Sequence, residues 1–306
     1  MGAGGKRSQV RDSSLARPLG IHIRTGSGLV AGARHALEIG CTTFQIMSGN
    51  PSAWNPGLLD QRRAAEFRVF LDEHGLRPVF LHAGYLINLS CRTGRNAPLY
   101  AKSVKLLKET LERAEALSCE YVVVHMGSRR GTTSGEALAA LVSGLGKLDE
   151  EMQKQGEGVP MLLLENGAGA GDTVGSGFEK LAEVQAAAEE RGVRLPLGIC
   201  LDTAHMWGAG YDLTSGAAAR RVIEEFDRTV GLERLHLIHL NDSPLERDAK
   251  RDKHEHIGCG LIPVEGLEAI ARHPKLREVA MILETPGSTE PSDARRMADL
   301  RALAGI

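Results

Sequence analysis

Five histidines and four carboxylates carry the chemistry this chain can do: His82, His125, His205, His239 and His254, with Glu165, Asp202, Asp252 and Glu284. Six of them, His82, His125, Glu165, Asp202, His239 and Glu284, fall at or near the ends of the aliphatic runs RPVFLH, CEYVVVH, VPMLLLE, RLPLGICLD, ERLHLIHLN and REVAMILE. One imidazole in such a place reads as a hydrogen-bonded core residue. Six metal-capable residues at equivalent places read otherwise, because carboxylates buried without a metal or cationic partner are costly. Two short motifs supply the rest. LDTAH sets His205 three residues after Asp202 across a strand-to-loop junction, and RDKHEH sets Asp252 and His254 two apart, where an extended backbone points both side chains to one side. Nitrogen and oxygen donors in this number exceed the need of one tetrahedral ion and suit about three Zn²⁺, while also admitting Mn²⁺ or Fe²⁺. Closely spaced divalent ions activate water and clamp the oxygens of a phosphate, so metal-assisted phosphodiester hydrolysis is the leading chemistry.

Such donors need a scaffold that brings six strand ends together. LGIHI (19–23) and TTFQIM (42–47) precede the six runs, which makes eight strand candidates separated by Ala-, Leu-, Glu-, Lys- and Arg-rich segments with apolar residues three or four apart. Gly40, Gly75, Gly192 and Gly231 close four of these segments, as left-handed helix ends require. The pattern predicts a single (β/α)₈ TIM barrel over residues 19–306, with the metal site at the C-terminal ends of the strands. An open doubly wound sheet is the alternative, but HIRTGSG only loosely matches a glycine-rich phosphate loop.

The 306 residues are 42% hydrophobic and 25% charged, a globular composition. The formal net charge of -2 argues against a partner held by a basic surface alone. Three divalent ions would reverse that sign at the barrel mouth and favour a polyanion. Five cysteines without a CxxC pair, Cys41, Cys91, Cys119, Cys200 and Cys259, suit a reducing cytoplasm. Residues 1–18 read as a basic, poorly ordered tail, and neither a secretory signal nor a membrane span is expected.

The segments HAGYLINLS, VVVHMGSRRG, LLLENGAGAG, GICLDTAHMWGAGYDL, HLNDS, RDKHEHIGCG and ILETP, in order through roughly residues 19 to 286, closely resemble the endonuclease IV family of apurinic/apyrimidinic endonucleases. The resemblance implies a trinuclear zinc site that cleaves double-stranded DNA 5′ to an abasic site, leaving a 3′-hydroxyl and a 5′-deoxyribose phosphate. It places His82 and His125 on the first ion and has Glu165 bridge to a second, which Asp202, His239 and Glu284 also hold. His205, Asp252 and His254 take the third. Glu165 then also positions the attacking hydroxide, and Tyr85 becomes an aromatic that probes or fills the distorted helix. Arg129 and Arg130 are candidates for phosphate contact, and Asn241, Asp242 and His256 are candidates for orienting the ligands. His22, His35, His74, His236 and His273 carry weaker metal arguments. A monomer is expected, since a barrel can present its mouth to DNA unaided.

The chain departs from the family at Ser52, where a basic residue is usual, at Gly84 in place of proline, and at Gly167 and Ala170 in place of Thr and Gln. These changes bear on DNA grip more than on metal chemistry. Two other classes remain open: a related barrel that isomerises or epimerises sugars, and a nonenzymatic metal-containing DNA-binding protein.

Overall fold

The eight aliphatic runs all become strands: β1 (Leu19–Ile21), β2 (Phe44–Met47), β3 (Val79–His82), β4 (Tyr121–His125), β5 (Met161–Glu165), β6 (Leu197–Asp202), β7 (Leu235–His239) and β8 (Ala280–Leu283). The computed structural model describes residues 17–154, 158–286 and 291–306. The strands are parallel and pair in the order β2-β3-β4-β5-β6-β7-β8-β1. A parallel bridge between His22 and Gln45, and Ile23 N donating to Gln45 O at 2.7 Å, join β1 to β2. Gly20 lies at that seam, where an added Cβ would fall 1.9 Å from Thr43 O, so the strands approach this closely only without a side chain. The (β/α)₈ barrel expected from the sequence is the architecture found.

Residues 1–16 of the expected tail lie outside the described residues. Arg17 and Pro18 are tied to the barrel: Arg17 Nη2 donates to Leu276 O at 2.5 Å, and Met281 N donates to Pro18 O at 2.9 Å.

Side chains alternate across each strand. Phe80, Val123, Leu163, Cys200, Leu237, Ala280 and Ile282 form an apolar plug inside the barrel, joined by Tyr121 and Met161. Their neighbours Leu81, Val122, Leu164, Ile199 and Ile238 face outward, against the helices. Both faces are therefore dry, which explains why the runs read as continuous apolar stretches.

Helices α1 (Leu29–Glu38), α2 (Gln61–His74), α3 (Ala97–Leu117), α4 (Ser134–Met152) and α5 (Phe178–Glu190) surround the first five strands. Then come α6 (Thr203–Ala209), α7 (Gly216–Thr229), α8 (Val264–Ala271) and α9 (Asp293–Ala304). Helix α7 shows why they form: Ala218, Ala219, Val222, Ile223 and Phe226 recur at helical spacing and are its buried face. Asp60 caps α2, and Thr133 with Glu136 makes a capping box on α4. The four closing glycines all have positive φ. One difference from the sequence reading touches the site. The LDTAH junction is the start of a helix rather than a loop, because the Asp202 side chain accepts from His205 N at 2.8 Å and caps α6.

Candidate metal centre

The plug explains where the donors go. Two residues above each inward apolar residue, the same face of the strand is reached again. His82 stands above Phe80, His125 above Val123, Glu165 above Leu163, Asp202 above Cys200, His239 above Leu237 and Glu284 above Ile282. Register makes His125 the lateral neighbour of Glu165, and Asp202 that of His239. Six strands thus deliver six donors to one layer at the C-terminal mouth.

Glu165, 1% exposed, is the hub. Its Oε2 lies 3.3 Å from both His82 Nε2 and His125 Nε2, and its Oε1 lies 3.1 Å from His239 Nδ1. Glu284 Oε2 approaches the same His239 Nδ1 at 3.1 Å. On the other side, His254 Nε2 is 3.3 Å from Asp202 Oδ2 and 3.4 Å from His205 Nε2, while Asp252 Oδ1 is 3.1 Å from His205 Nε2. The extended DxH unit does face one way, with His254 Nε2 3.4 Å from Asp252 Oδ1. The donor atoms fall into overlapping sets, each within 4.8 Å: His82, His125 and Glu165; Glu165, Asp202, His239 and Glu284; Asp202, His205 and His254; and, with the Cys200 thiol, Glu165, Cys200 and His239. Asp252 adjoins the third of these. All nine residues singled out in the sequence meet at this mouth.

The imidazoles are oriented from behind. His82 Nδ1–H donates to Ala83 O at 2.7 Å, His205 Nδ1–H to Asn166 O at 3.0 Å, and His254 Nδ1–H to Glu284 O at 3.2 Å. Each turns Nε2 toward the centre, where loss of its proton gives the lone pair that metal-ligating histidines present. His239 is reversed. Its Nε2–H donates to Gln45 Oε1 at 3.0 Å and its Nδ1 faces the carboxylates. Gln45 Nε2 also donates to Glu284 Oε1 at 2.5 Å and to His22 Nδ1 at 3.0 Å. Asn241 Nδ2 donates to Asp202 Oδ2 at 2.6 Å, and Asn166 Oδ1 accepts from Asp202 N at 2.6 Å.

Gln45 and Asn166 were missed by sequence reasoning, and His22 was placed only among the weaker metal candidates. Gln45 had a usable signal, a lone amide in an otherwise apolar strand, and His22 sits at the end of β1 just as the ligand candidates end theirs. Neither is a donor; they complete the ring of strands by holding donors in place.

The charges interlock. Among the described residues, each ion-pair partner of Glu165, Asp202, Asp252 and Glu284 is a histidine. Burial alone would raise Glu165, but His125, His239 and His82 outweigh it and hold the carboxyl well below its ordinary range. Glu284 behaves likewise, through His239, His22 and His82. Burial opposes charge on His82, yet Glu165 and Glu284 raise it to about 9. His125 goes the other way, pushed down by burial and by His82 and His205. Burial and nearby carboxylates hold the Cys200 thiol well above its usual value, so Cys200 stays a neutral part of the plug.

A cavity of about 660 Å³ opens over the donors, lined by His82, His125, Asp252, His254 and Glu284 together with Tyr85. A second, of about 370 Å³, shares Tyr85, His125 and Asp252 and extends past Trp54, Arg130, Gly167 and Ala170. Tyr85, 60% exposed, stands between the two, its hydroxyl bonded to Ser52 Oγ. The small Gly167 and Ala170 thus line open space beside the donors. Gly84 sits under the β2–α2 loop, where a Cβ would lie 3.2 Å from Pro51 O.

The remaining candidates are placed differently. Arg129 is paired to Asp172 at 2.7 Å and lines a separate cavity near Lys180, away from the donors. Asp242 serves the backbone instead of a donor. Its carboxylate accepts from Ser243, Gly258, Gly260 and Ile262 N–H groups, which pins the loop that follows His254. His256 lines another cavity with Cys259 and Arg295. Of the residues expected to orient ligands, Asn241 is bonded to a donor, Asp202.

Comparison with known proteins agrees with this architecture. Residues 33–304 match the family described as Xylose isomerase-like TIM barrel. The chain is 37% identical to a probable endonuclease 4 of Solibacter usitatus, covering 94% of this chain and 97% of that protein. It superposes on the crystal structure of endonuclease IV from Thermus thermophilus with TM-score 0.80 and 35% identity, covering 94% and 99%. A D-tagatose 3-epimerase-like protein matches with TM-score 0.65 at 20% identity, covering 94% and 97%, which shows a shared fold alone.

Proposed function

The chain belongs to the endonuclease IV family, and on that premise we propose that it is a DNA-repair endonuclease hydrolysing the phosphodiester 5′ to an abasic site. The products are a 3′-hydroxyl and a 5′-deoxyribose phosphate. Its substrate is double-stranded DNA, and it acts as a cytoplasmic monomer formed by one catalytic domain over residues 19–306. Among the described residues, no helix is long and apolar enough to cross a membrane.

The donor chemistry fits zinc. Imidazole nitrogens and carboxylate oxygens converge with no lysine or arginine, among the described residues, paired to the carboxylates, and backbone carbonyls hold Nε2 of His82, His205 and His254 inward. Three Zn²⁺ would be held by His82, His125 and Glu165; by Glu165, Asp202, His239 and Glu284; and by His205, Asp252 and His254. Mn²⁺ or Fe²⁺ suits the same donors. Bound there, the ions supply Lewis acidity toward the phosphate oxygens and a lowered pKa for water.

The chain's own groups do the rest. Glu165, shared by the first two sets, would position the attacking hydroxide. Gln45, Asn166 and Asn241 keep the ligands from rotating. Tyr85 fills the space left in the duplex, since an aromatic ring offsets lost stacking. A nucleotide without its base leaves the stack at lower cost, which selects damaged over intact DNA. Arg130, on the wall of the second cavity, contacts the DNA backbone.

The observation that carries this reading is one buried carboxylate, Glu165, shared by His82, His125 and His239 beneath an open mouth. The test is to incubate zinc-replete protein with matched duplexes, one intact and one with a single abasic analogue, and map the cut. Incision 5′ to the lesion, lost in Glu165→Ala together with bound metal, is expected. Turnover of a free sugar at a stoichiometry of one or two ions, without incision, would replace the proposal with a sugar isomerase.

A further inference from the structure

The cavity over the donors has a second wall. Besides Tyr85 and the donors it is lined by Arg24, which follows β1, and by Thr285, Asp293 and Arg296. Thr285 is the next residue after Glu284, so this wall begins where the metal donors end.

Arg296 is an unusual group to find there. It is 9% exposed, and its guanidinium carries five N–H donors. Nη2 is bonded to Asp293. Nη1 reaches Thr285 O only at 3.5 Å and Thr285 Oγ1 at 3.4 Å, both long for such bonds, and the buried Nε has no acceptor among the described residues. Donors left this poorly met in a buried place are costly unless a ligand meets them. Asp293 offsets part of the charge, but it is shared with His35 Nε2 at 2.8 Å. Arg24 brings a second guanidinium to the exposed rim of the same cavity, beside a volume large enough for more than a single phosphate.

We propose that Arg24 and Arg296 form an anion subsite for a non-scissile DNA phosphate adjacent to the one at the metal centre. The inference rests on the endonuclease reading. Guanidinium matches phosphate geometry through paired N–H donors, and Arg296 is held in place before the ligand arrives. The subsite fixes the register of the strand over the donors.

The test uses duplexes with an abasic analogue in which one flanking phosphate at a time is replaced by a neutral methylphosphonate. Binding of the zinc-loaded protein is measured over a range of salt. Wild type is expected to lose about 10- to 100-fold in affinity at one or two flanking positions. Arg24→Ala and Arg296→Met should bind the all-phosphate duplex correspondingly more weakly, retain their zinc, and become insensitive to the neutral linkage at those positions. Their log–log salt slopes should fall by about one per lost contact, whereas Arg62→Ala on the outer face of α2 should keep the wild-type slope. Arg24→Ala keeps the test decisive if Arg296→Met fails to fold. Full sensitivity at every position in a folded, zinc-loaded Arg24→Ala variant, with an unchanged slope, overturns the subsite. If wild type neither binds nor cuts the abasic duplex, the endonuclease reading fails instead.

Discussion

Replacing Gln45 with leucine removes one amide that nothing else can replace and leaves the shape of the core nearly intact. The side chain is 0% exposed and makes three hydrogen bonds: to His22 Nδ1 at 3.0 Å, to Glu284 Oε1 at 2.5 Å, and from His239 Nε2–H at 3.0 Å. Two neutral bonds are worth about 1 kcal/mol each and the carboxylate bond about 1.5–3 kcal/mol. Leucine recovers part of this because no amide is buried, so the net loss of stability is about 2–4 kcal/mol. The damage to metal binding is selective. His239 and Glu284 belong to one donor set, so zinc affinity there falls by about 10- to 100-fold, while the set with His205, Asp252 and His254 is untouched. Urea unfolding of the zinc-free protein measures the first effect, and chelator competition with metal counting measures the second. Equal weakening of every bound ion, or none, would refute the assignment of Gln45 as the strut of His239.

Other outcomes follow from the same geometry. Zinc affinity should rise with pH through about 9, since His82 must give up its proton to bind; calorimetry in buffers of different ionisation heat reads the proton release. In the zinc-free protein the stability that His82 gains from Glu165 and Glu284 is complete below the ordinary histidine value of 6.5 and disappears as pH rises through about 9. A melting temperature that climbs across that interval would contradict it. Gly260→Ala should cost about 1–3 kcal/mol and loosen the ion at Asp252 and His254, because the new Cβ would lie 2.3 Å from Asp242 Oδ1; thermal unfolding and zinc content check it. Tyr85→Ala should weaken binding of an abasic duplex by about 1–3 kcal/mol with zinc content unchanged, measured by fluorescence anisotropy.

Much of the site was legible because the barrel makes sequence position report spatial position. A donor at the end of an aliphatic run is at the C-terminal mouth, whichever strand carries it, so His82, His125, Glu165, Asp202, His239 and Glu284 could be placed together without knowing any distance. The DxH unit was legible for a similar local reason: extended backbone has a period of two. What surrounded these residues was less so. Asp202 caps α6 as well as facing the centre, and the LDTAH string does not distinguish a loop from a short helix. Arg129 reads as free for DNA in the string SRRG, yet Asp172, 43 residues on, takes it.

By itself the sequence determined the period-two layering: strands dry on both faces, with polar residues two steps above the plug. That is local chemistry repeated on six of the eight strands. Only the tertiary structure decided which nitrogen of His205, His239 and His254 faces inward, since the choice falls to groups far away in the chain, Asn166 for His205, Gln45 for His239 and Glu284 for His254. It also decided that Gln45, 194 residues from His239, completes the ring. Hydrogen bonds between strands depend on barrel closure, and closure is a property of all eight strands at once.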